Sequence, residues 1–303
     1  MAFLHENREA FEDAVNHTRD VTGFTSVIIE KDYYVTMILK GLSERLPFIV
    51  FKGGTSLSKC HGVIKRFSED IDVTIDVQKL TQGMKKKIKM SIEEVAAELK
   101  LTIPNVEDTR SRRNLNRYVI EYASVLEDMD QGVAPNVLLE TSYAEYSFPN
   151  VKLPVHSYIG DMLAKEAPEM LMELGLNPYE MKVQAIERTM IDKVFAICDY
   201  YMKGDIKRHS RHIYDIYKLL QIVPKNEEFS ELVKEVRRVR AENKTICLSA
   251  QLGVNVAEIL KSIVDNDIYK ADYEDLTRNI LQEDVTYETA IRAVEEVARS
   301  GIF

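Results

Sequence analysis

Phe51-Lys52-Gly53-Gly54-Thr55-Ser56, then a short helical stretch, then Phe67-Ser68-Glu69-Asp70-Ile71-Asp72-Val73: the reading of these two segments decides the fold. The apolar run 48–51 predicts a strand buried on both faces, following a helix over 26–45 that Pro47 stops. Gly53-Gly54 breaks the strand, and Thr55 and Ser56 suit the cap of the next helix. Residues 70–75 alternate polar and apolar, as a half-buried strand does. Side chains alternate faces along a strand, so Asp70 and Asp72 project together, with Cα atoms roughly 6.5–7 Å apart. Two such carboxylates repel unless a cation sits between them. Magnesium suits the pair, because one or two carboxylates hold it while phosphates and water complete its octahedron. The glycine turn lets backbone amides approach a triphosphate, and the helix opening at Thr55 turns its positive end toward it. These residues therefore predict a nucleoside-triphosphate site. Neither GxxxxGK[ST] nor GxGxxG occurs, which argues against a P-loop or a Rossmann site.

Outward from this core, residues 5–18 and 79–100 read as helices, and 117–124 and 137–143 as strands. After Pro154 the pattern becomes helical, over 158–174, 185–201, 209–222, 228–242, 246–264, 272–281 and 287–299. The expected fold class is α+β, with a mixed sheet and helices over residues 1–155 and an all-helical domain over 156–303. A divalent-ion site with two metals would want a third carboxylate on a neighbouring strand. Glu140 and Glu121 both end apolar runs; Glu140 is preferred, and either could instead pair with a base.

The 303 residues carry a net charge of −9, but ten acids against three bases between Asp265 and Glu296 supply −7 of it. The remainder is close to balanced and holds basic clusters at 85–89, 110–117, 203–211 and 237–244. Such clusters usually cover ordinary surface, yet they leave a polyanionic partner open. Three widely spaced cysteines fit a reducing cytoplasm better than a disulfide framework. No apolar run approaches the roughly 20 residues of a membrane helix, and the first residues do not read as a secretory signal.

Gly53-Gly54-Thr55-Ser56 followed by Asp70-Ile71-Asp72 resembles the signature of the DNA polymerase β-like nucleotidyltransferases, and more closely that of the AbiEii/AbiGii toxin family. The likeness extends to Glu30-Lys31-Asp32-Tyr33, Leu57-Ser58-Lys59, Arg66, Glu187-Arg188-Thr189, Asp192-Lys193-Val194 and Arg208 to Asp215, over about residues 30–221. The resemblance implies a polymerase β-like domain followed by helices that complete the cleft. It also implies a nucleotide-transferring toxin with a cognate antitoxin in an abortive-infection (phage-defence) system, acting on RNA, foremost the 3′ end of tRNA. Gly53, Gly54, Thr55 and Ser56 would then contact phosphates, with Lys193, Arg208 and Arg211. Asp70, Asp72 and Glu140 would hold Mg2+ (or Mn2+), with NTP as substrate. Lys193 could equally snorkel along an apolar stripe. Asp215 would position or deprotonate the attacking hydroxyl, or else form a helix ion pair. His209 and His212 lack the further ligands a zinc site needs. A protein or small-molecule acceptor, or a non-catalytic nucleotide-binding regulator, is the alternative reading.

Overall fold

The computed structural model describes residues 3–66, 68, 70–126, 134–143 and 146–303. Phe67 and Glu69 of the second defining segment lie outside the described residues. Two compact units emerge, Met1–Cys60 with Ser68–Val183, and His61–Phe67 with Gln184–Phe303.

The first unit is built on a six-stranded mixed sheet of β1 (Ile49–Lys52), β2 (Ile71–Ile75), β3 (Leu115–Glu121), β4 (Asn136–Ser142), β5 (Asn150–Val155) and β6 (Tyr179–Gln184), in the order β3-β4-β2-β1-β6-β5. β1 runs antiparallel to β2 and parallel to β6, and β4 runs parallel to β2 and antiparallel to β3. Helix α1 (Arg8–Thr22) opens under Asn7, whose side chain accepts the Ala10 amide, and α2 (Ser26–Arg45) opens under Thr25 in the same way. Ile29, Tyr33, Met37 and Leu42 are buried around α2, so it is a core helix rather than an amphipathic cover. Helix α4 (Gln82–Glu98) buries Ile88, Ile92 and Val95 on one stripe. These residues share one core with Phe51, Ile71, Val73, Ile75, Tyr118 and Leu139 of the sheet. Because side chains alternate, Asp72 is left on the opposite face.

The expected division at 155 differs from the observed one at Val183. Pro154 was expected to end the sheet region, yet it lies within β5, an edge strand, where a residue without an amide donor is tolerated. β6 follows, with Met181 and Val183 buried and Glu180 exposed. The helix expected over 158–174 is two, α5 (Tyr158–Glu166) and α6 (Pro168–Glu173), because Pro168 starts a new helix at its first position.

The second unit is helical, with α7 (Ile186–Lys203), α8 (Arg211–Leu220), α9 (Glu227–Ala241), α10 (Val256–Asp265), short helical turns between Lys270 and Ile280, and a last helix over Tyr287–Arg299. The helix expected from 246 starts only at Val256, under the cap Asn255. The segment from His61 is held into this unit. The Lys65 amide donates to Tyr214 Oη at 2.9 Å, its carbonyl accepts the Gln282 amide at 2.8 Å, and Arg66 bridges to Leu281. No helix among the described residues is long and apolar enough to cross a membrane.

Candidate active site

Helix α3 (Gly53–Lys59) starts at Gly53 with Lys52 as its N-cap, two residues earlier than expected. Thr55 and Ser56 thus fall inside the first turn, and both are buried. Thr55 Oγ1 donates to the Asp70 carbonyl at 2.6 Å and lies 2.9 Å from Ser68 Oγ. Ser56 Oγ donates to the Gly53 carbonyl at 2.9 Å. Both hydroxyls therefore brace the glycine turn and tie it to the approach of β2.

Asp72 lies on β2 and Asp70 immediately before it, half-buried. Across the sheet, Lys52 pairs with Asp72, Asp72 with Glu140, and Glu140 with Arg117. Residues in register share a face, so four strands present one row, positive–negative–negative–positive. Gly53 has φ +82°, and a Cβ there would meet Asp72 Oδ2 at 2.1 Å. Glycine is required twice over, for the left-handed backbone and for the seat of the carboxylate.

Of the two candidates for a third carboxylate, the sheet sets Glu140 beside Asp72. Glu121 pairs with Asn136, four residues along β3 from Arg117, which is about 13 Å at strand rise. Glu140 already has a base: Arg117 Nε donates to its Oε1 at 2.6 Å. Among the described residues no group of three His, Cys, Asp or Glu side chains is placed to hold an ion. Asp70 and Asp72, next to a turn that only glycine fits, suit magnesium, which one or two carboxylates hold while phosphate and water complete its shell. An all-carboxylate pair is a poor match for zinc, which is held by three or four protein ligands in which histidine and cysteine predominate. His209 instead stacks on Tyr200, with ring centroids 3.4 Å apart.

The helical unit carries a second polar centre. Asp215 is fully enclosed. Arg66 Nε donates to its Oδ1 at 2.7 Å and Arg66 Nη2 to Oδ2 at 2.9 Å, while Lys193 Nζ lies 3.1 Å from Oδ2. Burial alone would push the Asp215 carboxyl up, but the Arg66 and Lys193 charges prevail and hold it well below the usual carboxylate range. Such a carboxylate stays ionised at neutral pH, with both oxygens already engaged by Arg66 and Lys193. Burial draws the Lys193 ammonium down; Asp215 opposes this, and Arg66 and Arg211 add to it. His212, 3.8 Å from Asp215, is pushed well below its ordinary value by burial and then by Lys193, so it stays neutral. Arg66, Lys193 and the half-buried Arg211 thus outnumber the single carboxylate. Arg208 is exposed at the turn before α8, in a left-handed conformation, with its amide donating to Asp272 Oδ1 at 2.7 Å.

Sequence reasoning gave Lys52 no role, Arg66 only a place in the family resemblance, and Arg117 only a place in the basic cluster 110–117 that could track an RNA backbone. The signal for Lys52 was its place one residue before the glycine turn; Arg117 became readable only with the β3–β4 register. The 30–33 motif turns out to be scaffolding. Glu30 accepts the Val125 amide at 2.8 Å and the Ser124 hydroxyl at 2.7 Å, and burial pushes its carboxyl up. Asp32 pairs with Lys59 and accepts the Tyr158 amide at 2.9 Å.

The model of the AbiEii nucleotidyl transferase toxins, of type IV toxin–antitoxin systems, matches residues 38–298. The match runs through the C-terminal helices, well past the 221 at which the sequence resemblance fades. No curated protein matches the chain. Among solved structures, the chain is similar to MenT4, a nucleotidyltransferase toxin from Mycobacterium tuberculosis, at 15% identity and a TM-score of 0.50 over 97% of this chain and 89% of that one. At that identity the likeness speaks for the fold. With most of its length covered by the family model, the chain belongs to the AbiEii family and is a nucleotidyltransferase toxin of a type IV toxin–antitoxin system.

Proposed function

We propose that this nucleotidyltransferase is magnesium-dependent and transfers a nucleotide from an NTP to an RNA acceptor, with the 3′ end of tRNA as the first candidate. The observation that carries the reading is the Asp72 carboxylate seated against Gly53, with Asp70 two residues before it and Glu140 beside it. In the reaction, an acceptor hydroxyl oxygen bonds to the α-phosphorus, the bond to the bridging oxygen breaks, and pyrophosphate leaves with the acceptor proton passed to solvent. A divalent ion supplies neutralisation of the triphosphate charge when bound.

Asp70 and Asp72 hold the ion; the turn at Gly53 and Gly54 admits phosphate oxygens to the main chain. Arg211 supplies a phosphate contact, with Arg208 as a more exposed one, and Lys193 adds its charge from beside Asp215. Asp215 keeps Lys193 charged and fixed while its own pairing with Arg66 keeps it ionised. Manganese would serve in place of magnesium. The family implies an antitoxin partner, and we place the toxin in the cytoplasm, whose reducing conditions suit three cysteines widely spaced in the sequence.

The test is total tRNA incubated with each labelled NTP in turn and resolved on a gel, with parallel pools of protein and small molecules. Label on RNA that needs magnesium and disappears with EDTA is the expected result. Label that goes to protein or small molecules instead would overturn the acceptor assignment.

A further inference from the structure

Two basic clusters far apart in sequence line one open groove of about 600 Å³. It is lined by Lys86 and Lys89 of α4, with Met90 and Glu93 of the same helix, and by Arg110 and Arg112 with their neighbours Thr109 and Ser111. Lys89 holds the walls together. Its ammonium donates to the Val106 and Thr109 carbonyls at 3.2 and 3.0 Å and lies 3.6 Å from Glu93. Asn116 fixes the arginine loop by exchanging hydrogen bonds with the Arg110 backbone at 2.8 and 3.1 Å. Lys86, Arg110 and Arg112 are exposed, and none has an acidic side-chain partner among the described residues. In a chain of net charge −9, three uncompensated cations around one groove mark a place for an anion.

We propose that this groove binds the phosphodiester backbone of the RNA acceptor. The inference deepens the transfer reading above and rests on it for the choice of RNA. The composition of the groove favours a nucleic acid over an acidic protein. Protein interfaces are anchored by aromatic and apolar side chains in pockets, and here Met90 is the sole large apolar residue. Paired guanidinium groups instead match phosphate oxygens in geometry as well as charge. The location also suits an extended strand. Arg117 lies about 10 Å from Asp72, two strand spacings away, and β3 is an edge strand leading back through exposed Leu115 into the arginine loop. α4 covers the face of the sheet opposite Asp72, so a strand that ends at Asp72 reaches the groove by passing over this edge.

The test uses the whole chain and a labelled RNA hairpin with a single-stranded 3′ end, titrated by fluorescence anisotropy at several salt concentrations. The triple variant Lys86→Gln, Arg110→Gln, Arg112→Gln should bind the hairpin at least about tenfold more weakly at low salt. Its plot of log affinity against log salt should be shallower by about 2, since each phosphate neutralised on a single strand contributes about 0.7. Binding of magnesium-NTP and the melting temperature should match wild type, which separates loss of the groove from loss of the fold. Unchanged hairpin affinity or an unchanged salt slope would overturn the proposal. So would polyglutamate competing charge for charge as well as RNA, since that would favour an acidic protein. Failure of the two readings is distinguishable: a hairpin that binds through the groove but never gains label contradicts the transfer reading alone, and labelling unaffected by the triple variant contradicts the groove alone.

Discussion

Asp72 and Asp215 are the same residue type put to opposite uses. Asp72 stands half-buried in a row of charges on one face of the sheet, over a glycine that leaves it room. Asp215 is sealed inside the helical unit with both oxygens taken by Arg66 and a lysine beside it. In the proposed reaction the first takes up a ligand, and the second holds other side chains in place. Charge alone does not separate them; access does. A carboxylate with no room for a newcomer is part of the scaffold, whatever motif it sits in.

The sharpest way to break this contrast is to remove each carboxylate in turn. Asp72→Ala should lower nucleotide transfer by at least about 10²–10³-fold, the scale of losing one strong electrostatic contact to the reacting group. Its melting temperature should stay near wild type, because a half-buried cleft carboxylate contributes little packing. Asp215→Ala should do the reverse first. It strands Arg66 and Lys193 in the interior and should cost about 3–5 kcal/mol in stability by urea unfolding, as breaking a buried pair does. A stable Asp215→Ala protein would show that the cluster is not the scaffold described here.

Gly53→Ala is the next test. The new Cβ would meet Asp72 Oδ2 at 2.1 Å in a backbone with φ +82°. Strain of about 1–2 kcal/mol is expected from the left-handed conformation, together with a loss of transfer approaching that of Asp72→Ala. A variant with normal activity would mean that the seat over Gly53 does not fix the working position of Asp72.

The helical centre also carries a pH signature. The folded-state carboxyl of Asp215 is held well below its unfolded value, so its contribution to stability is fully present above the unfolded range near pH 4. It is lost as pH falls through that range toward the lower folded value. Unfolding curves from pH 6 downward should show wild type losing stability in acid faster than Asp215→Asn, whose side chain cannot titrate. Parallel curves would contradict the assignment.

The smallest effect concerns Glu140. If it serves the metal, Glu140→Gln should lower transfer measurably while changing stability by less than about 1 kcal/mol, the range of an exposed pair such as that with Arg117. An unchanged rate would assign Glu140 to Arg117 alone.

Much of this layout is legible from sequence because the decisive elements are local. The turn at Gly53 and Gly54, the strand 71–75, the helix 26–45 and the last helix from 287 each carry their signal within a few residues: glycine pairs, alternation, or a capping Thr beside an apolar stripe. Charge pairings between distant positions leave no such trace. Arg66 and Asp215 are 149 residues apart, and nothing in either neighbourhood names the other. The row from Lys52 to Arg117 depends on a register between strands that alternation alone does not set. Pro154 misled in an instructive way, since a proline reads as a break unless the strand is known to lie at an edge.

Asp70 and Asp72, and not the buried carboxylate, are the residues proposed to hold the divalent ion. Manganese binding followed by electron paramagnetic resonance, in the presence of a non-hydrolysable NTP, tests this directly. Wild type and Asp215→Asn, where folded, should bind manganese alike, and Asp72→Ala should lose it. Manganese bound by Asp72→Ala as tightly as by wild type would contradict the account.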